Sequence, residues 1–317
     1  MKTVCRLFCL IILASYPVFA GNSLTSGFEF LRTDFSPRTA ALGNAFTAVK
    51  GDINGVFINP AGLAYVEDRQ YCFNYTNYLL DISGGSAGYV HPTEDYGVLG
   101  ISILYMDYGE FEKTDDFAVK TGDSFGANEL ALAFSISNYL DRQFSYGVNL
   151  KYVYSKIEDY DASAVALDFS IMYQAAFQED LYFAVSLLNV GQNFEYYAGR
   201  KESMPTSLRI GFTKKLAHLP LVLGGSLNDI NIESDTITDR LKRFSIGGEF
   251  QLSKMLNLRL GYNNDLRNSL ETTSETGFDG ISGGLGINWQ QFRFDYSYSS
   301  FGLLGSTHRV GISGAIK

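Results

Sequence analysis

Large apolar residues alternate with small polar ones at a period of two through most of this chain, and after the first twenty residues no apolar run is long enough to cross a membrane as a helix. Successive side chains of a β-strand point to opposite faces, so this alternation marks strands with one apolar and one polar face. Phe144, Tyr146, Val148, Leu150, Tyr152 and Tyr154 interleave with Ser145, Gly147, Asn149, Lys151 and Ser155. Phe292, Phe294, Tyr296 and Tyr298 interleave with Arg293, Asp295, Ser297 and Ser299. The pattern predicts fourteen strands, at 70–78, 84–91, 95–107, 126–139, 142–154, 163–175, 181–190, 205–215, 219–229, 241–253, 255–265, 278–289, 291–299 and 307–316.

A soluble sandwich alternates too, but its polar face meets water and carries many lysines and glutamates. Here that face is mostly Gly, Ser, Ala and Asn, with one or two charges per strand. Small residues with isolated charges suit an enclosed, wet lumen, while large aliphatics and aromatics on the other face suit lipid. Tyr105, Tyr152, Tyr154, Tyr173, Tyr262 and Tyr298 fall near strand ends, where a membrane barrel carries its aromatic girdles. Connection lengths point the same way. Joints such as Leu140-Asp141, Ala217-His218, Lys254 and Gln290 are tight, whereas those at 108–125, 155–162, 191–204, 230–240, 266–277 and 300–306 are expected to be long. Outer-membrane barrels are wired in this manner, with short periplasmic turns and long outer loops. The short joint from Leu79 to Ser83 departs from it. The predicted fold class is therefore all-β: a transmembrane antiparallel β-barrel of about fourteen strands, closed so that no backbone group is unpaired in lipid.

Eight charges share the polar phase: Lys151, Asp168, Arg209, Glu249, Arg259, Arg293, Asp295 and Arg309. A basic side chain facing lipid at the midplane costs about 2–4 kcal/mol, so these are assigned to the lumen. They either line a polar passage or pair with one another and clamp a plug, and pairing within a plugged barrel is the preferred reading.

The chain ends carry further signals. Lys2 and Arg6, the apolar stretch Leu7 to Ala14, and Val18-Phe19-Ala20 form a secretory signal peptide over 1–20, with cleavage expected before Gly21. Cys5 and Cys9 leave with it, so Cys72 has no partner for an internal disulfide. The expected location is the bacterial outer membrane, in contact with its lipid, with both termini on the periplasmic side because the strand count is even. Between the leader and the barrel (70–317) lies a different segment, 21–69. Ser36 before Pro37 is a helix N-cap, Ala40, Ala41, Leu42, Ala45, Phe46, Ala48 and Val49 are apolar, and Gly51 is a stop, which predicts a short helix with Gly43 inside it. Asp52-Ile53-Asn54-Gly55 and Asn59-Pro60-Ala61-Gly62 read as turns. This segment is expected to plug the lumen as a hatch or to cap its lower rim.

No enzymatic chemistry is legible. His91, His218 and His308 are far apart, and neither a His-Glu-x-x-His nor a Cys-x-x-Cys pattern occurs, so no zinc site and no cofactor is expected. Phosphate-loop and Gly-x-Ser-x-Gly patterns are absent as well. Asp52-Ile53-Asn54-Gly55 lacks the distal glutamate of a calcium loop. The acidic loops holding Asp115, Asp116, Glu158, Asp159 and Asp161 are read as solvated, with bridging cations as the alternative. The formal charge of −9 at pH 7 opposes binding to nucleic acid, which needs a basic footprint.

Ser36 through Val49 followed by Phe57-Ile58-Asn59-Pro60-Ala61-Gly62-Leu63 resembles the opening of FadL-type barrels, and more closely that of the PorV/PorQ family. The stretch Phe294-Asp295-Tyr296-Ser297-Tyr298 through Gly305 to His308-Arg309 is similar to the PorV/PorQ ending. The resemblance covers 28–64 and 278–317 closely and the middle by strand pattern. Within it Pro37, Arg38, Gly43, Asp52, Asn59, Pro60 and Gly62 make up the hatch motif. The resemblance implies a fourteen-stranded outer-membrane barrel with an N-terminal hatch. PorV and PorQ relatives belong to the type IX secretion apparatus, which implies secretion components or secreted cargo as partners. FadL-type relatives pass hydrophobic molecules, which implies instead a hydrophobic ligand caught between apolar loops such as Phe111, Phe117 and Phe125. Barrel proteins often end in an aromatic residue, whereas this chain ends Ala315-Ile316-Lys317, with Ile316 keeping the outward phase.

Overall fold

The computed structural model describes residues 26–115, 117–197, 202–234, 236–270 and 278–316. The leader and its cleavage site lie outside the described residues. Fourteen antiparallel strands close into one barrel, each paired with its sequence neighbours and β1 with β14. They are β1 (Arg69–Asn77), β2 (Ser83–Thr93), β3 (Gly97–Thr114), β4 (Lys120–Tyr139), β5 (Phe144–Ile157), β6 (Tyr160–Gln174) and β7 (Leu181–Glu195). The second half comprises β8 (Ser207–Lys215), β9 (Leu221–Leu227), β10 (Phe244–Gln251), β11 (Leu256–Asn263), β12 (Ile281–Trp289), β13 (Phe292–Ser300) and β14 (Ser306–Ile316). Most of these bounds fall within a few residues of the alternation in the sequence. The outward phase is exposed and apolar, as at Phe134, Leu150, Ile246, Leu260 and Val310, and the inward phase is buried, as at Ser135, Asn149, Glu249 and Arg259. Ile316 is exposed beside Arg69 at the seam, as its phase requires.

Two expected loops are strands. β3 and β4 continue as a paired hairpin to Thr114 and Lys120, with register shifts between Asp107 and Glu110 and between Glu112 and Thr114. β5 and β6 are joined at Glu158-Asp159, where the notional loop 155–162 shrinks to a turn. In the outer part of the β3–β4 hairpin residues on both faces are largely exposed, so the apolar alternation that marks a lipid-facing strand weakens there, whereas in the β5–β6 extension Ser155 and Ala162 stay buried. Of the remaining odd-to-even joints, those of β7–β8, β9–β10 and β11–β12 are long, as expected, whereas β13–β14 is joined by residues 301–305, no longer than the β1–β2 joint. Two carry one short helix each: α3 (Ile237–Leu241) lies in the β9–β10 joint and α4 (Asn264–Leu270) in the β11–β12 joint.

Among the described residues, 26–66 pack inside the barrel. A 3-10 turn over Glu29–Arg32 is followed by α1 (Pro37–Ala41), α2 (Gly55–Ile58) and a second 3-10 turn over Pro60–Tyr65. The Ser36 hydroxyl caps α1 at the Thr39 amide and Pro37 opens the helix, as the sequence predicts. The helix does not reach Gly51. Gly43 and Asn44 both adopt left-handed backbone angles, φ 65° and 64°, which no α-helix continues. A side chain at Gly43 would also lie 2.8 Å from the Tyr262 amide nitrogen on β11. Leaving the helix there lets Leu42, Ala45, Phe46 and Val49 bury together instead of sharing one helical stripe.

The hatch lies in the lumen rather than across a rim, and it runs lengthwise. Its start is tied to the β7–β8 joint, where the Gly27 amide donates to the Ser203 carbonyl at 3.0 Å. Its finish lies at the other end, where Tyr65 packs on Tyr139 and Tyr182. The first described residue, Ser26, therefore sits at the end opposite Ile316. The even strand count brings β1 and β14 to one end, but the described chain traverses the lumen first. The expected placement of the two termini on one side lies outside the described residues.

Candidate functional site

Hatch and wall meet in a closed ring of alternating charges. The Arg38 guanidinium of α1 donates from Nη1 to Asp52 Oδ2 at 2.5 Å and from Nη2 to Glu249 Oε1 at 2.7 Å. Arg259 Nε donates to Glu249 Oε2 at 2.6 Å and its Nη1 to Asp295 Oδ1 at 2.6 Å. Arg293 Nε donates to Asp295 Oδ2 at 2.8 Å, and its Nη2 returns to Asp52 Oδ2 at 2.9 Å. Two members come from the hatch and four from β10, β11 and β13. The positive and negative charges balance, as burial of a charged group requires. Arg259 is wholly buried.

Local structure aims each member. Glu249 and Arg259 are direct cross-strand partners, which sets one contact by register alone. Reaching Asp295 requires Arg259 to cross β12. A Cβ at Gly286 would lie 2.5 Å from Arg259 Nη2 and 2.8 Å from Asp295 Oδ1, so only glycine leaves the passage open. Asp52 is positioned by its own turn, its Oδ1 accepting the Asn54 amide at 2.8 Å. Burial alone would push the Asp52 carboxyl up; the Arg293 and Arg38 guanidiniums outweigh it and hold it far below the ordinary carboxylate range. Burial likewise acts to lower Arg38, and Glu249 with Asp52 carries it well above its usual value.

The other predicted charges are buried in the lumen but outside the ring. Lys151 Nζ pairs with Asp168 Oδ2 at 2.8 Å and donates to Asn189 Oδ1 at 2.8 Å. Arg309 grips the hatch through its backbone, Nε donating to the Asp34 carbonyl at 2.7 Å. Arg209 Nε donates to Ser207 Oγ at 3.1 Å. Of the motif residues, Asn59 caps its own 3-10 turn by accepting the Ala61 amide and ties back to the Thr47 carbonyl at 2.7 Å. Pro60 begins that turn. Gly62 passes so close to Val49 that a Cβ would lie 2.1 Å from its carbonyl oxygen.

The small polar face has a role that the sequence did not disclose. It is a set of sockets for the hatch backbone rather than the lining of a wet channel. Asn149 donates to the Val56 carbonyl at 2.8 Å, Ser145 to the Ala61 carbonyl at 2.9 Å and Ser282 to the Ala41 carbonyl at 3.2 Å. Gln70 binds two hatch groups, the Ile53 amide and the Gly51 carbonyl. Gly147 and Gly261 let hatch backbone approach so closely that a Cβ at either would lie 2.2 Å from it. Buried donors and acceptors left unmatched cost about 1–3 kcal/mol each, so this matching holds the hatch in one seat.

Of the three phenylalanines named as ligand-catching, Phe111 and Phe125 stack at 5.4 Å, whereas Phe117 stands exposed at the hairpin tip. Among the described residues no group of three or more His, Cys, Asp or Glu is placed to hold a metal ion.

The fold is similar to those of several solved structures. The toluene transporter TbuX of Ralstonia pickettii superposes with a TM-score of 0.61 at 13% identity, over 89% of this chain and 98% of that one. The toluene transporter TodX of P. putida gives 0.59 at 10% identity, over 88% and 97%. A Pseudomonas aeruginosa FadL homologue gives 0.51 at 13%, over 86% and 96%. At such identities the likeness shows the fold alone, a closed antiparallel barrel. No curated protein matches the sequence. Residues 19–218 match the family described as "Type IX secretion system protein PorV", a span holding the hatch and the strands through β8. By that match the chain belongs to the PorV family of outer-membrane barrels.

Proposed function

We propose that this barrel is an accessory of type IX protein secretion that works as a docking body in the outer membrane, with its lumen held shut. The family match carries the proposal. The hatch supports it, since charge ring, sockets and apolar contacts fix it to the wall at several levels of the lumen. Residues 26–68 act as the plug and 69–316 as the wall. The long hairpins face outward with Ser26, and the end of β14 faces the periplasm. Partners are other secretion components or exported cargo, met by the long-hairpin end.

A second reading is favoured by the neighbours, two of which are toluene transporters. On that reading the hatch moves to release a hydrophobic ligand taken up through the outer end. One experiment separates the two. Thr47 and Ser226 place their hydroxyl oxygens 2.8 Å apart, one on the hatch and one on β9. The pair Thr47→Cys with Ser226→Cys, once oxidised, ties the hatch to the wall. Introduced into cells lacking the native chain, it is expected to restore surface display of exported cargo as fully as wild type. Loss of function on oxidation, recovered on reduction, would favour transport through the lumen.

A further inference from the structure

On the outward face of the wall, β2 sets small residues between large ones. Its register places Ala87 between Phe73 of β1 and Ile103 of β3, and Gly85 between Tyr75 and Tyr105. Phe73, Tyr75 and Tyr105 stand exposed, so the two small residues floor a shallow lane with aromatic banks. The lane runs past Tyr89 toward the short-turn end, where Arg69 and His91 share the same outward phase. That phase is fixed because Gln70, between Arg69 and Tyr71, points inward to bind the hatch. Arg69 is exposed, and its Nε donates to His91 Nδ1 at 3.1 Å. A neutral imidazole that accepts at Nδ1 carries its proton on Nε2, so the contact leaves a donor on His91 and presents the Nη1 and Nη2 edge of Arg69. Tyr71 leans toward β14, its hydroxyl 2.6 Å from where a Cβ at Gly314 would lie, so its ring lies off the β2 lane. From His91 to Gly85 the strand rises about 3.4 Å per residue at a tilt of about 40°, or roughly 15 Å of depth. That reaches just past the midplane of an apolar band about 25 Å tall.

The outward face of a membrane barrel meets lipid by necessity, and a guanidinium at the lipid boundary pairs with headgroup phosphate through two parallel N–H donors. We infer that the Arg69–His91 pair and the β2 lane form a seat for one phospholipid of the periplasmic leaflet. Its phosphate accepts from Arg69 Nη1 and Nη2 and from His91 Nε2, and one acyl chain lies along Ala87 and Gly85. The assignment of leaflet rests on the proposed orientation, with the β14 end toward the periplasm. The seat itself does not depend on the secretion role.

The test is native mass spectrometry of the purified full-length barrel with two probes, dioleoyl phosphatidylglycerol and dioleoylglycerol, which has the same chains and no phosphate. The phospholipid is expected to bind at least tenfold more tightly than the diacylglycerol. Arg69→Gln is expected to weaken it at least tenfold, and Arg69→Lys, which keeps the charge but not the paired donors, severalfold. Ala87→Leu fills the lane and is expected to weaken the phospholipid severalfold while leaving the Arg69–His91 contact in place. Arg142→Gln removes an exposed arginine from the β4–β5 turn at the same end and is expected to leave binding within about twofold of wild type. Equal retention of the two probes, or full affinity in Arg69→Gln or in Ala87→Leu, would overturn the inference. So would a loss in Arg142→Gln equal to that in Arg69→Gln, because rim charge in general would then hold the lipid. If Arg69→Gln fails to fold, Arg69→Lys and Ala87→Leu carry the same reading. No partner protein enters the measurement, so a failure here is distinct from any failure of the secretion role.

Discussion

Asp52→Asn tests the charge ring most sharply. Asp52 Oδ2 accepts from Arg38 at 2.5 Å and from Arg293 at 2.9 Å, so it joins the two halves of the ring. Asparagine keeps the shape and the turn contact but turns a balanced set of six charges into one with a surplus buried cation. Breaking a buried pair costs about 3–5 kcal/mol, and the partial exposure of Arg38 and Arg293 places this case near 3. At about 1.4 kcal/mol per tenfold, the population with the hatch lifted rises roughly a hundredfold. Cys72 reports it. The thiol is fully buried on β1 and packs with hatch residues Ile53, Val56 and Leu63, and it is the single described cysteine. Its labelling by a maleimide, normalised to unfolded protein, is expected to be roughly a hundredfold faster in Asp52→Asn than in wild type. The exposed hatch-end variant Glu67→Gln serves as control and is expected to label at the wild-type rate. Labelling of Asp52→Asn within about threefold of wild type would refute the clamp.

Gly286→Ala places a methyl group between Arg259 and Asp295 and is expected to cost about 1–3 kcal/mol, seen as a lower melting temperature with Cys72 labelling raised at least severalfold. Asn59→Ala strands the Thr47 carbonyl and the Ala61 amide and should cost about 2–4 kcal/mol in the same assay; normal labelling would show that the Asn-Pro turn does not seat the hatch. The Asp52 carboxyl is held below its ordinary range, so its contribution is complete above the unfolded value of about 3.9 and is lost only as pH falls toward the depressed folded value. Thermal stability is accordingly expected to be flat from pH 8 to about 5 and to decline below about 4. A decline beginning near pH 6 would assign the control to another group.

The barrel was legible because lipid enforces the pattern: each crossing strand had to show an apolar outward phase, and fourteen did. Where lipid ends, the signal ends, which is why the outer parts of β3 and β4 read as loop. The hatch helix was misjudged at Gly43-Asn44 because apolar content alone does not reveal a left-handed pair. Phase placed the ring members in the lumen one by one, and the resemblance marked Arg38 and Asp52. Their pairing was not legible, because Arg38 meets Glu249 across 211 residues and Asp52 meets Arg293 across 241. The inward glycines and serines looked like the lining of a wet channel, since close contact with another segment's backbone leaves the same small residues as contact with water. Direct evidence for sockets comes only when the second segment is in place.

The most direct test of the central claim is to extract the barrel from outer membranes in mild detergent and identify by mass spectrometry what remains bound to it. The docking account predicts secretion components or an exported cargo protein in stable proportion. Recovery with lipid or fatty acid alone, and no protein partner, would contradict it and turn attention to movement of the hatch.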